Sequence, residues 1–303
     1  MNTMKNAIIK TLIFCLLIGA TSITLSAQQL PHYSQFDQNR YVLNPGVAGS
    51  MDQFEVRAIN RSQWTGVTDA PRTFALSLQG PLKNKKVGLG GYLFTDNVGP
   101  TRRTGIQFSY SYHLQLNDKI KLGLAASMGA LQFTIDGSKI QLAEEGDPAL
   151  FSELNSQTVF DAKFGAYMYH ENWYVGVTLP QLLQNQIQLY ESTTGDLSKL
   201  EDHYFLMGGY THTINDDWKV STNALIKYVA PVPPQFDINF KGHYKDMIFA
   251  GLGYRHNDAL IFMAGYEYRE AISIGFAYDM TTTDLRNYSN GTYEVMVGFR
   301  FNQ

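Results

Sequence analysis

Ionisable side chains that share one parity within alternating segments are the residues of this chain best placed to act together. Glu55, Arg57 and Arg61 alternate with Phe54, Val56 and Ala58; Asp161 and Lys163 with Phe160, Ala162 and Phe164; Asp237 and Lys241 with Phe236, Ile238 and Phe240. Lys227, Glu267, Glu294 and Arg300 are flanked by apolar or aromatic residues in the same way. A period of two sends successive side chains to opposite faces of a strand. If the strands closed into a cylinder, these charges would meet in one interior. Their signs are mixed, which suits a lumen of paired charges better than an ion filter of a single sign.

Other chemistry is poorly represented. The sequence has no Gly-x-x-x-x-Gly-Lys-Ser/Thr phosphate loop, no His-Glu-x-x-His and no Gly-x-Ser-x-Gly elbow. Gly88-Leu89-Gly90-Gly91 and Gly251-Leu252-Gly253 fall inside strand patterns, where glycine admits close packing or a bend. Seven histidines are scattered without ligand spacing, so a hydrolase would need a Ser/His pair assembled from separate strands. Glu144, Glu145 and Asp147 gather carboxylates in one loop, which reads either as a solvated acidic turn or as an outer Ca²⁺ site. The expectation is a non-enzyme with no cofactor and no resident metal.

Composition narrows the class further. Of 303 residues, 44% are hydrophobic and 13% aromatic, too much for a disordered chain. The net charge is −3 with no block of five or six like charges, so a nucleic-acid surface is not expected. Lys5 and Lys10 precede an apolar stretch from Thr11 to Leu25, and Ser26-Ala27 then meets Gln28-Gln29; residues 1–27 read as a signal peptide cleaved after Ala27. The mature chain would keep 22 basic and 27 acidic side chains, and it would lose Cys15, the single cysteine. Disulfides and thiolate chemistry are thereby excluded from it. Beyond Leu25 no apolar run reaches the length of a membrane-spanning helix.

What remains is a chain of strands. Alternation predicts fourteen, near 54–64, 72–80, 86–96, 104–115, 119–135, 158–170, 172–179, 203–212, 217–229, 235–244, 247–254, 259–268, 271–279 and 292–301. Most approach the ~9–11 residues that a tilted strand needs to cross a bilayer. Every second connection is tight, as at Leu116-Asn117-Asp118 and Lys245-Asp246, whereas the intervening ones are longer on average and include 136–157, 180–202 and 280–291. A soluble sandwich has no reason to sort its loops by parity; an outer-membrane barrel does. Trp64, Tyr92, Phe94, Trp173, Tyr174, Tyr228, Tyr244, Tyr266, Tyr268 and Tyr278 are placed on the outer face near strand ends, as interface aromatics. The fold expected is an all-β antiparallel transmembrane barrel of about 14 strands over 54–303. Residues 28–53 form a polar lead, with the turn Asn44-Pro45-Gly46, that either enters the barrel or lies beneath it in the periplasm.

Several segments, in serial order, resemble one family. They are Tyr33-Ser34-Gln35-Phe36, Asn44-Pro45-Gly46-Val47-Ala48-Gly49, Arg61-Ser62-Gln63-Trp64 with Ala70-Pro71-Arg72-Thr73, Asp96-Asn97-Val98-Gly99-Pro100, His203-Tyr204-Phe205, Gly251-Leu252-Gly253-Tyr254-Arg255, Gly275-Phe276-Ala277-Tyr278-Asp279 and Tyr293-Glu294-Val295. Together they resemble the PorP/SprF outer-membrane proteins of Bacteroidetes, associated with type IX secretion and gliding motility. Gly46 departs from the pattern, where Ala is more frequent, and Thr292-Tyr293-Glu294 stands where Ser-His-Glu is common. The resemblance implies an integral outer-membrane barrel, FadL-like in architecture and set in outer-membrane lipid. It would assist secretion or surface anchoring of a specific large secreted protein through that protein's C-terminal domain, and some relatives contact periplasmic ring components. The alternative is a passive channel for small or hydrophobic solutes.

Overall fold

A computed structural model describes residues 30–302 except 84, 141–153, 184–185, 188–197, 200–201 and 231. The expected signal peptide and the acidic loop at 144–147 lie outside the described residues. The strands are β1 (Phe54–Ser62), β2 (Arg72–Pro81), β3 (Val87–Val98), β4 (Thr101–Gln115), β5 (Lys121–Asp136), β6 (Leu154–Tyr169), β7 (Trp173–Leu179), β8 (Gln186–Ile187), β9 (Ser198–Lys199), β10 (His203–Thr213), β11 (Trp218–Val229), β12 (Val232–Tyr244), β13 (Ile248–Arg255), β14 (Ala259–Tyr268), β15 (Ile272–Thr281) and β16 (Thr292–Phe301). β8 and β9 make a separate two-stranded ribbon. The other fourteen pair in sequence order, all antiparallel, and β1 pairs β16 to close the barrel. Closure removes the open sheet edge that lipid would leave without hydrogen-bonding partners.

Side-chain alternation runs inside out relative to a soluble protein. Phe108 is 65% exposed, Met128 75% and Phe160 74%, each flanked by buried Gln107 and Ser109, Ser127, or Val159 and Asp161. The outward positions form an apolar belt, while the hydrophobic core lies within the bore. There Tyr33, Phe36, Tyr41, Val42, Leu43 and Val47 of the lead pack on Ile59, Phe94, Leu131, Phe133, Val159, Tyr167 and Phe205 of the wall.

One rim carries only tight turns, including two in which Lys245-Asp246 and Arg269-Glu270 take left-handed backbone angles, φ 50–56°. Consecutive left-handed residues match the twist of the strands they join. The opposite rim holds the longer connections, but not uniformly: Gly99-Pro100 links β3 to β4, and β13 reaches β14 in three residues. The long-loop tendency is thus an average, carried by 63–71, 137–153, 180–202 and 282–291.

Three aromatics expected on the outer face are turned inward. Phe94 and Tyr174 are buried in the bore and Tyr92 is partly buried against the same cluster. The lead occupies enough of the bore to give them a core to join: Tyr41 and Tyr92 meet edge to face at 6.2 Å, and the Arg40 guanidinium lies 4.5 Å over the Tyr174 ring. Aromatic identity alone could not reveal that packing partner.

Candidate functional site in the bore

The lead runs along the inside of the barrel from the long-loop rim to the short-turn rim. Its hydrogen bonds track that descent. Near the long-loop ends of their strands, Glu294 and Asp279 hold Ser34; near the short-turn ends, His113 and Gln79 hold Ala48 and Gly49. The chain then passes directly into β1.

Ser34 is the centre of a buried polar knot. Its backbone N–H donates to Glu294 Oε2 at 2.8 Å and that of Gln35 to Glu294 Oε1 at 2.9 Å, so one carboxylate holds two successive peptide groups. The Ser34 hydroxyl donates to Asp279, 2.7 Å from Oδ1, and accepts from Arg61 Nη1 at 2.7 Å. Arg61 also bonds Asp279 at 2.9 Å and Glu294 at 3.2 Å; Arg255 bonds Asp279 at 2.9 Å and Asp237 at 3.2 Å. Asn239 Nδ2 donates to the Ser34 carbonyl at 2.9 Å. These five charged side chains are at most 2% exposed, a burial that charge tolerates only when paired and hydrogen-bonded. Lower in the bore, Lys241 pairs with Asp37 at 2.7 Å.

The turn Asn44-Pro45-Gly46 sits where β6 meets β7. Asn44 Nδ2 donates to the carbonyls of Ala166 (3.0 Å) and Val177 (3.1 Å), and its Oδ1 accepts the Gly46 N–H at 2.8 Å. The wall makes room with glycine: a Cβ on Gly165 would stand 2.3 Å from Asn44 Oδ1, and one on Gly88 would stand 1.8 Å from the Ala48 carbonyl oxygen. Gly88 therefore serves close approach of the lead. Tyr41 completes the fastening through Ser109 at 2.9 Å, as does Arg40 through the Tyr167 hydroxyl at 2.7 Å.

The charges picked out by parity fall into separate groups. Arg61, Asp237 and Glu294 join the knot, and Lys241 takes Asp37. Glu55 accepts from Arg57 at 2.7 Å and from Arg300 at 2.9 Å, and Arg300 also pairs with Glu267, giving a chain across β1, β16 and β14 near the short-turn rim. Lys163 bonds the Tyr92 hydroxyl at 2.9 Å; Asp161, two positions away, accepts no side-chain hydrogen bond among the described residues. Lys227 stands 3.1 Å from His32 of the lead. Among the aromatics, Trp64 falls beyond β1 with φ 47°, Trp173 stacks on His170, Tyr228 tilts against Tyr204, and the Tyr278 hydroxyl donates to the Asn290 carbonyl.

Asp279 and Arg255 were not among the parity candidates, although Tyr278 and Tyr254 beside them face outward and place them inside. The partner of Glu294 lay in the lead, and no periodic signal joins residues 34 and 294.

A cavity of about 420 Å³ remains beside the lead at the short-turn end, lined by Arg57, Glu55, Lys219, His243, Glu267 and Arg300 among others. No helix among the described residues is long and apolar enough to cross a membrane. No group of three or more His, Cys, Asp or Glu among them is placed to hold a metal ion.

A closed antiparallel barrel of fourteen strands, apolar outside and charged within, is an outer-membrane protein. The structure of the CymD monoaromatic hydrocarbon channel is similar, with a TM-score of 0.52, 13% identity, and 92% of this chain and 95% of that chain covered. The Ralstonia pickettii toluene transporter TbuX gives 0.50 and 12%, with 86% and 92% covered. At such identity the likeness concerns the fold. No curated protein sequence matches the chain. The model of the type IX secretion system membrane protein PorP/SprF family matches residues 25–299, and the chain belongs to that family.

Proposed function

We propose that this protein, exported through a cleaved signal peptide, assists secretion or surface anchoring of one specific large secreted protein by the type IX system. It would engage the C-terminal domain of that protein, with periplasmic ring components as further partners and gliding as one process served. Family membership supports the reading. The structural observation that carries it is the bore itself: a barrel whose interior is packed and hydrogen-bonded by its own lead is built to display loops more than to conduct. A rigid wall presenting variable loops is a common route to recognition. Deletion of the gene is expected to strand one adhesin or enzyme while leaving growth intact; retention of every surface protein in the deletion strain would reject the proposal.

A second reading, a passive channel for small or hydrophobic solutes, is favoured by the 420 Å³ cavity beside the lead. It would also suit the transport described for the similar barrels CymD and TbuX. Stepwise conductance or solute uptake by the reconstituted intact chain would support it, and a silent bilayer would count against it.

A further inference from the structure

The outward-facing positions of the fourteen strands are apolar, small or neutral almost throughout. The Arg, Lys, Asp, Glu and His residues among them are Arg72, Arg102, Asp136 and His212. Arg72, Arg102 and Asp136 lie at the long-loop rim on β2, β4 and β5, while His212 is near the opposite end of β10. Arg72 is in register with Asn97 of β3, and Asn97 with Arg102, so the guanidinium groups stand two strands apart on the same outer face. Two strand spacings separate their Cα atoms by about 10 Å.

Both arginines are exposed, and neither forms an ion pair among the described residues. Two acids share the rim: Asp136 accepts from the Ser138 N–H (3.2 Å) and hydroxyl (2.6 Å), with Lys139 Nζ 3.6 Å away, and Asp69 stands on the β1–β2 connection, so the three cations Arg72, Arg102 and Lys139 outnumber them. A recess of about 560 Å³ opens at this rim, and Asp69, Arg72, Arg102, Asp136, Lys139 and Leu154 belong to its lining. Directly below, toward the bilayer, the outer face turns apolar with Phe74, Leu93, Ile106 and Phe108 exposed.

From this geometry we infer a binding site for the phosphate-bearing headgroup of an outer-leaflet lipid, its acyl chains lying on the apolar face beneath. A guanidinium is planar, permanently charged and shaped to chelate phosphate oxygens. An arginine at the edge of the belt, with no ion pair among the described residues, is costly to hold against hydrocarbon and favourable against an anionic headgroup. The long-loop rim faces the cell exterior in barrels of this type, which assigns the outer leaflet. Free phosphate would use the arginines but not the apolar face.

The test is native mass spectrometry of the full barrel in mild detergent with added lipid A, intact or dephosphorylated. Heat-modifiable migration verifies that each variant is folded. Wild type is expected to carry intact lipid A; the Arg72→Gln/Arg102→Gln pair should lose occupancy by about tenfold per arginine, and the corresponding Lys pair should fall between. Dephosphorylated lipid should bind the wild type as weakly as intact lipid binds the Gln pair, and excess inorganic phosphate should not displace intact lipid. Equal occupancy in wild type and Gln pair overturns the site, as does equal binding of the dephosphorylated lipid. Displacement by inorganic phosphate alone assigns a simple anion site and overturns the lipid. Should the Gln pair not fold, the comparison of the two lipids on the wild type decides.

Discussion

Glu294, on the last strand, receives the backbone N–H of Ser34 at 2.8 Å, from a residue 260 positions earlier in the chain. The same carboxylate faces Arg61 across the ladder that closes the barrel, where residues 61 and 294 are register partners. One side chain thus joins the lead to the seam.

Removing that carboxylate leaves Arg61 with one fewer partner in a buried site and two peptide N–H groups unanswered. Glu294→Ala is expected to lower unfolding stability in detergent by about 3–5 kcal/mol, and Glu294→Gln by less, since the amide still accepts a hydrogen bond. Coincident urea midpoints for wild type and the Ala variant would show that the knot holds nothing.

Asn44 ties the lead to carbonyls of both β6 and β7. Its replacement by Ala should cost about 1–3 kcal/mol, the range for leaving buried polar groups unsatisfied. Gly165→Leu, which drives atoms into Asn44 from the wall, should free the lead in the same way, read as faster cleavage of residues 30–50 by added protease. Unchanged cleavage in both variants would contradict the fastening described.

Deleting residues 30–50 removes the apolar and polar groups that occupy the bore. Bilayer recordings are expected to show sustained conductance for the shortened barrel and quiet traces for the intact one. Equal conductance from the two would mean that the lead does not limit the pore.

Exposed charge should behave differently. Asp52 pairs with Lys85 at 2.8 Å, both largely exposed, and the hydrogen bond from Lys85 holds the Asp52 carboxyl below its ordinary value. A lowered carboxyl contributes stability that is complete above the unfolded-state value and lost as pH falls through the folded one. Solvent screening keeps that contribution small: Asp52→Asn should shift stability by no more than about 0.5 kcal/mol between neutral and acid pH. A larger shift in the urea midpoint would show that the pair is less screened than its exposure implies.

The barrel was legible because lipid and bore impose opposite demands on alternate residues. Strands such as β4, with Ile106, Phe108 and Tyr110 against Gln107, Ser109 and Ser111, carry both demands in plain view. The same parity placed Arg61, Asp237 and Glu294 inside. Aromatic identity near a strand end misled at Tyr92, Phe94 and Tyr174, which share the inward parity of Asp96 or alternate with outward Trp173 and pack on a lead with no period of its own. Knot formation by Ser34 was likewise hidden, because its partners come from β1, β12, β13, β15 and β16, brought together only when the ring shuts.

Ring closure and the lead meet at one point. The final ladder, β1 against β16, sets Arg61 opposite Glu294, and each reaches inward to the same serine. A barrel closed without the lead would still set Arg61 against Glu294, but the space held by Ser34 would stand open to water from the bore. The seam and the lead thus share one set of buried charges, so whatever loosens one exposes the other.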